Sequence, residues 1–338
     1  MKRCLIGFSL VLLAGCAAPS NQATPTPTTV EIGLPTDVTS FANADIAVAD
    51  QQGFFRDAGL TVHVKNLSSG VPVVQGVVGG SLDIGASSIE PVVNAHAQGG
   101  GLVVIGSSAD RLTVSLVTPK SVATPADLRG KRLGIQQVGA FREVMTRMVL
   151  GGAGLTPADA SYVAVDANSY TSALTQGRIQ AAVLQYEQAV DAMQRDGDLH
   201  VLADLAQVRP DYFYGTYFVT TNWLSHNRDA ATKFLTAITR AHRFMYSNRA
   251  ATIPIVAATT HFSEQVIGQA YDVLLGQRGV FPVNEGLDAG RIAATVATMA
   301  QFKILSGSPP ATSALVDTGP IADAVKGLGA WSGDARWH

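Results

Sequence analysis

Seven histidines, His63, His96, His200, His226, His242, His261 and His338, are the first candidates for metal or acid–base chemistry. None stands in an H-E-x-x-H or similar ligand spacing, and none lies in a His/Cys cluster. Each therefore reads as a surface imidazole or as a core imidazole whose hydrogen bonds are met. The sequence has no G-x-S-x-G nucleophile elbow and no G-x-x-x-x-G-K-[ST] phosphate loop. Gly99-Gly100-Gly101 precedes a predicted strand, whereas a dinucleotide fingerprint needs glycines that open a helix toward the pyrophosphate. Asp57, Asp83 and Asp127 fall in turns and strand starts, without the paired spacing of general acid and base. No catalytic residue, cofactor or metal is expected.

One cysteine does carry a chemical signal. Lys2 and Arg3 precede an apolar stretch from Leu5 to Gly15, too short to span a bilayer but suited to a secretory signal. The stretch ends in Leu13-Ala14-Gly15-Cys16, which resembles a bacterial lipobox. That resemblance implies cleavage before Cys16, lipid on its sulfur, and membrane anchoring on the extracytoplasmic face. The second cysteine, Cys4, leaves with residues 1–15, so no disulfide or thiolate ligand is expected afterwards. Residues 16–29 then read as lipidated Cys plus a Thr/Pro tether: Ala17 to Thr29 hold three Pro, four Thr and no charge. Such a segment extends ~40 Å at ~3.1 Å per residue and buries no core. A globule is expected from Val30 onward.

The elements that must position any site alternate. Strands are expected at Val30–Leu34, Leu60–Val64, Asp83–Ala86, Leu102–Gly106, Arg132–Gln136, Tyr162–Val165, Ala181–Leu184 and Val201–Ala203. Helices are expected between them, closed by Gly79-Gly80 and Gly99–Gly101. This order implies mainly parallel sheets flanked by helices, an α/β class. From Thr221 four helices follow, punctuated by Pro254, Pro282 and Pro309-Pro310. The length of 338 residues suits two domains. Apolar residues at 47% and charged residues at 15% exclude a disordered chain. Lys+Arg 24 against Asp+Glu 26 leaves no basic excess for nucleic acid. Loss of Lys2 and Arg3 takes the net charge from −2 to −4, so no polybasic patch assists anchoring.

Three segments in this order resemble the extracytoplasmic solute-binding proteins of ABC importers, of the nitrate/sulfonate/taurine and thiamine-pyrimidine type. They are Gly53-Phe54-Phe55-Arg56-Asp57-Ala58-Gly59-Leu60, Gly80-Ser81-Leu82-Asp83-Ile84-Gly85-Ala86 and Asp127-Leu128-Arg129-Gly130-Lys131-Arg132-Leu133-Gly134. Leu174-Thr175-Gln176-Gly177-Arg178-Ile179-Gln180-Ala181 also matches, with Gln180 where the family usually has Asp. The resemblance covers residues 30 to about 245. It implies a two-lobed periplasmic-binding-protein fold (type II): lobe I from residues 30–109 plus 222–338, lobe II from 110–221, and a helical C-terminal tail. It further implies a monomer that binds a small molecule between its lobes and delivers it to separately encoded permease and ATPase subunits.

In open α/β sheets ligands bind beyond the carboxyl ends of strands. That rule selects Asp37, Phe41, Ser68, Ser69, Ser87, Ser88, Glu90, Phe141, Arg142, Tyr186, Glu187 and Tyr214 as the candidate site. Arg142 is the one cation in these loops, against Asp37, Glu90, Asp110 and Glu187. Carboxylates repel a bound sulfonate, and burial magnifies the repulsion. Six aromatics in or beside the loops, out of 23 in the chain, suit stacking on a heteroaromatic ring. The expected ligand is therefore a heteroaromatic vitamin or precursor, riboflavin ahead of a thiamine-type pyrimidine. Sulfonate, taurine or nitrate is the alternative, for which Arg142 and the serines would form the site. A pyrimidine-synthesising enzyme of the same fold is the remote alternative; its Cys-rich iron site has no counterpart after Cys16.

Overall fold

The computed structural model describes residues 27–36 and 40–334. The expected anchor at Cys16 and the candidate Asp37 lie outside the described residues.

Ten strands form two five-stranded sheets. In chain order they are β1 (Thr28–Leu34), β2 (Leu60–Asn66), β3 (Ile84–Ser88), β4 (Leu102–Ala109), β5 (Val114–Pro119), β6 (Arg132–Ile135), β7 (Ser161–Ala164), β8 (Ala181–Gln185), β9 (Leu199–Asp204) and β10 (Gly215–Thr220). The first sheet runs β2-β1-β3-β10-β4 and the second β7-β6-β8-β5-β9. β1 pairs in parallel with β2 and β3, and β6 with β7 and β8; β10 and β5 are the antiparallel members of their sheets. β3 and β8 are buried along their whole length at the sheet centres, and β4, although an edge strand, is buried too because the 316–317 segment pairs along it. Gly85 of β3 is required by packing: a Cβ there would lie 2.2 Å from the Phe218 ring of β10.

The two antiparallel strands depart from the sequence reading. β5 follows β4 with no helix between them, and β10 follows β9 after only the four-residue Leu205–Val208 helix, so a full βα rhythm does not announce them. β10 also belongs to the first sheet, whereas the sequence reading places residues up to 221 in the second lobe. The chain therefore returns to the first sheet by residue 215. β1 begins at Thr28, two residues before the expected start at Val30.

Helices Thr221–Ser247, Arg249–Thr260, Glu264–Leu274 and Ala289–Gln301 form the C-terminal part. The first closes the first-sheet core, with Phe234 5.1 Å from the Tyr217 ring and 5.7 Å from Phe55. The later helices reach across to the second sheet. Gln194 Nε2 donates to Gln269 Oε1 at 3.4 Å, and the Arg209 guanidinium lies 5.1 Å from the Phe302 ring. Thr295 Oγ1 accepts from the Phe213 amide at 2.7 Å. No described helix is long and apolar enough to cross a membrane.

Candidate functional site

Strand ends and helix starts from both sheets meet at one cleft. β8 ends in Gln185 and leads directly into the Tyr186–Arg195 helix, so Glu187 sits in a first helical turn. Its carboxylate is 1% exposed, and Oε1 accepts the Phe41 amide of the first-sheet side at 3.1 Å. The Gly139 to Ala140 turn feeds the Phe141–Gly152 helix, which buries Arg142 beside β8. Arg142 donates to the Val183 carbonyl and, at 3.0 Å, to Gln188 Oε1, and its guanidinium lies 4.4 Å from the centre of the Tyr170 ring. Its charge is thus held by the second sheet's own groups.

These residues border a cavity of about 640 Å³ between the two sheets, within the ~300–1,000 Å³ of small-molecule sites. Four polar atoms of its lining are buried without a hydrogen-bond partner: Thr36 Oγ1, Ser40 Oγ, Tyr170 OH and Glu187 Oε2. Most buried polar groups in folded proteins are paired. Four unpaired ones around one space are the arrangement a ligand would satisfy. Burial pushes the Glu187 carboxyl above the usual carboxylate range and the Tyr170 phenol up to about 12. Farther out the lining is hydrophilic, and Arg195 pairs with Asp191 at 2.8 Å.

The other candidates take distinct places. Ser69, Ser87 and Glu90 are buried on the first-sheet side and outside the cavity lining, and Ser69 Oγ, Ser87 Oγ and Glu90 Oε2 also lack partners. Gly70 permits their approach, since a Cβ there would lie 2.0 Å from Ser87 Oγ. Glu90 Oε1 accepts the Tyr212 hydroxyl at 2.6 Å, and burial raises the Glu90 carboxyl as well. Ser88 is buried at the start of the Ile89–Ala97 helix, while Ser68 is exposed and offers its carbonyl to Gln136 Nε2 at 3.0 Å. Tyr214 accepts at its hydroxyl from Gln185 Nε2 at 2.9 Å and lies 4.6 Å from the Phe141 ring. The two rings pack tilted against each other and do not line the cavity. The Phe41 ring is fully buried against Phe281, so its amide is what reaches the cleft. Tyr186 lies 5.6 Å under the Arg278 guanidinium, away from the cavity.

The structure also brings in residues the sequence reading omits. Gln185 comes from β8, Tyr170 from the Tyr170–Thr175 helix packed on the second sheet, Thr36 and Ser40 from the loop after β1, and Thr260, His261 and Phe262 from the end of the Arg249–Thr260 helix and the loop after it. Ser40 and Gln185 stand in loops the strand-end rule already selects. The 260–262 strap carries no sequence signal of its own. Among the described residues no group of three or more His, Cys, Asp or Glu is placed to hold a metal.

The NMT1/THI5-like family model matches residues 40–251, well over half of the chain. The chain belongs to the NMT1/THI5-like family. The taurine-binding periplasmic protein of Escherichia coli (strain K12) is 28% identical over 171 residues, covering 50% of this chain and 52% of that protein. The 4-amino-5-hydroxymethyl-2-methylpyrimidine phosphate synthase of Candida albicans (strain WO-1) is 25% identical over 218 residues, covering 60% and 63%. The chain spans at most 66% of the length of the curated relatives it matches. Among solved structures, the alkanesulfonate-binding protein of Xanthomonas axonopodis pv. citri superposes with a TM-score of 0.70 at 18% identity, over 88% of this chain and all of that one. Identity that low speaks for the fold alone, and the fold of this NMT1/THI5-like protein is the two-lobed periplasmic-binding-protein fold.

Proposed function

We propose that this NMT1/THI5-like chain is the solute-binding component of an ABC importer, and that its ligand is a nitrogen-rich heteroaromatic, riboflavin ahead of a thiamine-type pyrimidine. The observation that carries this reading is the cavity at Glu187. A buried carboxylate with one free oxygen calls for a ligand that brings an N–H or O–H donor, and the free hydroxyls of Ser40, Thr36 and Tyr170 can give to or accept from its other polar atoms. A sulfonate or nitrate brings acceptors only, and meets an arginine already bound to Val183 and Gln188. Nitrate or taurine would also leave much of 640 Å³ to water. Binding without turnover is the favoured role: the Cys-rich iron site expected of a pyrimidine-synthesising relative has no counterpart, since no cysteine follows Cys16 here. The lobes would close on the ligand and present it to separately encoded permease and ATPase subunits. Lipid on Cys16 would hold the protein at the extracytoplasmic membrane face; in detergent phase partitioning of cells, Cys16→Ser should move the protein to the aqueous phase.

The test is a thermal-shift panel of riboflavin, 4-amino-5-hydroxymethyl-2-methylpyrimidine, taurine, an alkanesulfonate and nitrate. Riboflavin should give the largest rise in melting temperature, and the incubated flavin should be recovered unchanged. A rise with taurine or the alkanesulfonate alone overturns the ligand class. Recovery of a converted product overturns the binding role.

A further inference from the structure

The cavity is chemically two-ended. Its inner end is the set of buried, unpartnered atoms at Glu187, Ser40 and Tyr170. Its outer end is different: Asn168, Thr171, Ser172, Thr175, Gln188 and Asp196 line it, and each is half-buried or exposed. These side chains are short or amide-tipped and crowded on one rim. The Ser172 and Thr175 hydroxyls donate to the Ser169 and Ser172 carbonyls and so face a ligand as acceptors. Gln188 has its oxygen engaged by Arg142 and the Gln185 amide and faces it as a donor, Asn168 and Thr171 can do both, and Asp196 accepts only. A chain of vicinal hydroxyls can both give and accept and would replace rim water bond for bond.

The Thr260–Phe262 strap also lines the cavity and lies beyond the residues matched by the family model. Thr260 is 3% exposed and tucked under the helix end by its bond to Val256 O at 2.7 Å. His261 is held at φ +61°, a conformation few non-glycine residues adopt. This places the exposed His261 and the half-buried Phe262 on the cavity lining. Their ring faces offer the C–H side of a hydroxylated chain an apolar surface.

From this asymmetry we infer that the outer half of the cavity, with the 260–262 strap in its lining, is a subsite for an uncharged polyhydroxylated chain attached to the ring bound at Glu187. The inference rests on the heteroaromatic reading above and narrows it to a ring that carries a polyol. It also sets a charge limit. Asp191 and Asp196 face the outer space, and Arg195 is already paired with Asp191, so a phosphate at the end of the polyol meets repulsion.

Three flavins separate these points when titrated into the intact protein by fluorescence quenching: riboflavin, lumiflavin, which has a methyl in place of the ribityl chain, and riboflavin 5′-phosphate. Riboflavin should bind at least tenfold more tightly than either of the others. Thr171→Val and Phe262→Ala should each weaken riboflavin several-fold and leave lumiflavin unchanged, which also shows that the variants fold. Asp196→Asn should narrow the gap between riboflavin and its phosphate. Equal affinity for riboflavin and lumiflavin overturns the polyol subsite and leaves the heteroaromatic reading standing. Equal affinity for riboflavin and its phosphate overturns the charge limit. Absence of quenching with every flavin overturns the flavin reading and the subsite together.

Discussion

Glu187 shows what a single carboxylate does in this cleft. It is buried, its pKa is raised by that burial, and one of its oxygens already serves the Phe41 amide. Glu187→Gln keeps an acceptor for that amide and removes the buried charge. The ligand-free variant should therefore melt at or above the wild-type temperature at pH 7. Its ligand affinity should fall by roughly 10- to 100-fold, the loss of one hydrogen bond to a charged group. A variant that binds as tightly as wild type in isothermal titration would remove Glu187 from the site. Asp110, the first residue of the crossing out of β4, offers a separate pH readout. Burial pushes its carboxyl to about 6, against the pull of Arg111, Arg291 and His242. A folded pKa above the unfolded ~3.9 means the protonated form is favoured by folding. Stability is then present below pH 4 and lost as pH rises toward 6, by about 2–3 kcal/mol for this group. Asp110→Asn should flatten that part of the urea-midpoint profile and stabilise the protein at pH 7.

At the scale of elements, the return crossing from the second sheet to β10 carries Tyr212, Phe213 and Tyr214, all buried. The Ala289–Gln301 helix fixes it through Thr295, whose hydroxyl accepts the Phe213 amide. Thr295→Val keeps the shape and leaves that amide without a partner. The expected cost is about 1–3 kcal/mol, read as a lower urea midpoint with an unchanged slope. The sequence shows most elements around this crossing because hydrophobic period and glycine stops are local signals. It hides β5 and β10 because each enters its sheet antiparallel, between strands contributed by other parts of the chain. Their apolar residues are consistent with a strand, but only pairing partners far away in sequence make them one.

For the whole molecule, hydrogen bonds from Phe41 to Glu187 and from Gln136 to Ser68 span the cleft. If the lobes move as proposed, the ligand-free protein should populate a more open form, because these few bonds are offset by solvation of the cleft. Solution scattering should then give a smaller radius of gyration with riboflavin than without it. An identical radius in both states would argue for a rigid cleft filled without lobe motion.

What the sequence determined by itself is the family scaffold: the Gly53–Leu60, Gly80–Ala86 and Asp127–Gly134 segments, the helix and strand periods, and the charge imbalance near the strand ends. These depend on neighbours a few residues apart. The strand-end rule also selected Arg142 and Glu187, which line the cavity, because residues that follow strands emerge at the sheet's carboxyl end. Tertiary structure alone decided which candidates share a space. It turned Phe41 into the core, packed Phe141 against Tyr214, set Tyr186 beside Arg278, and carried His261 and Phe262 across from the C-terminal helices. The physical reason is that a side chain's direction at a loop depends on the packing of both sheets and the helices between them. That packing is a sum over contacts hundreds of residues apart, and no local pattern records it.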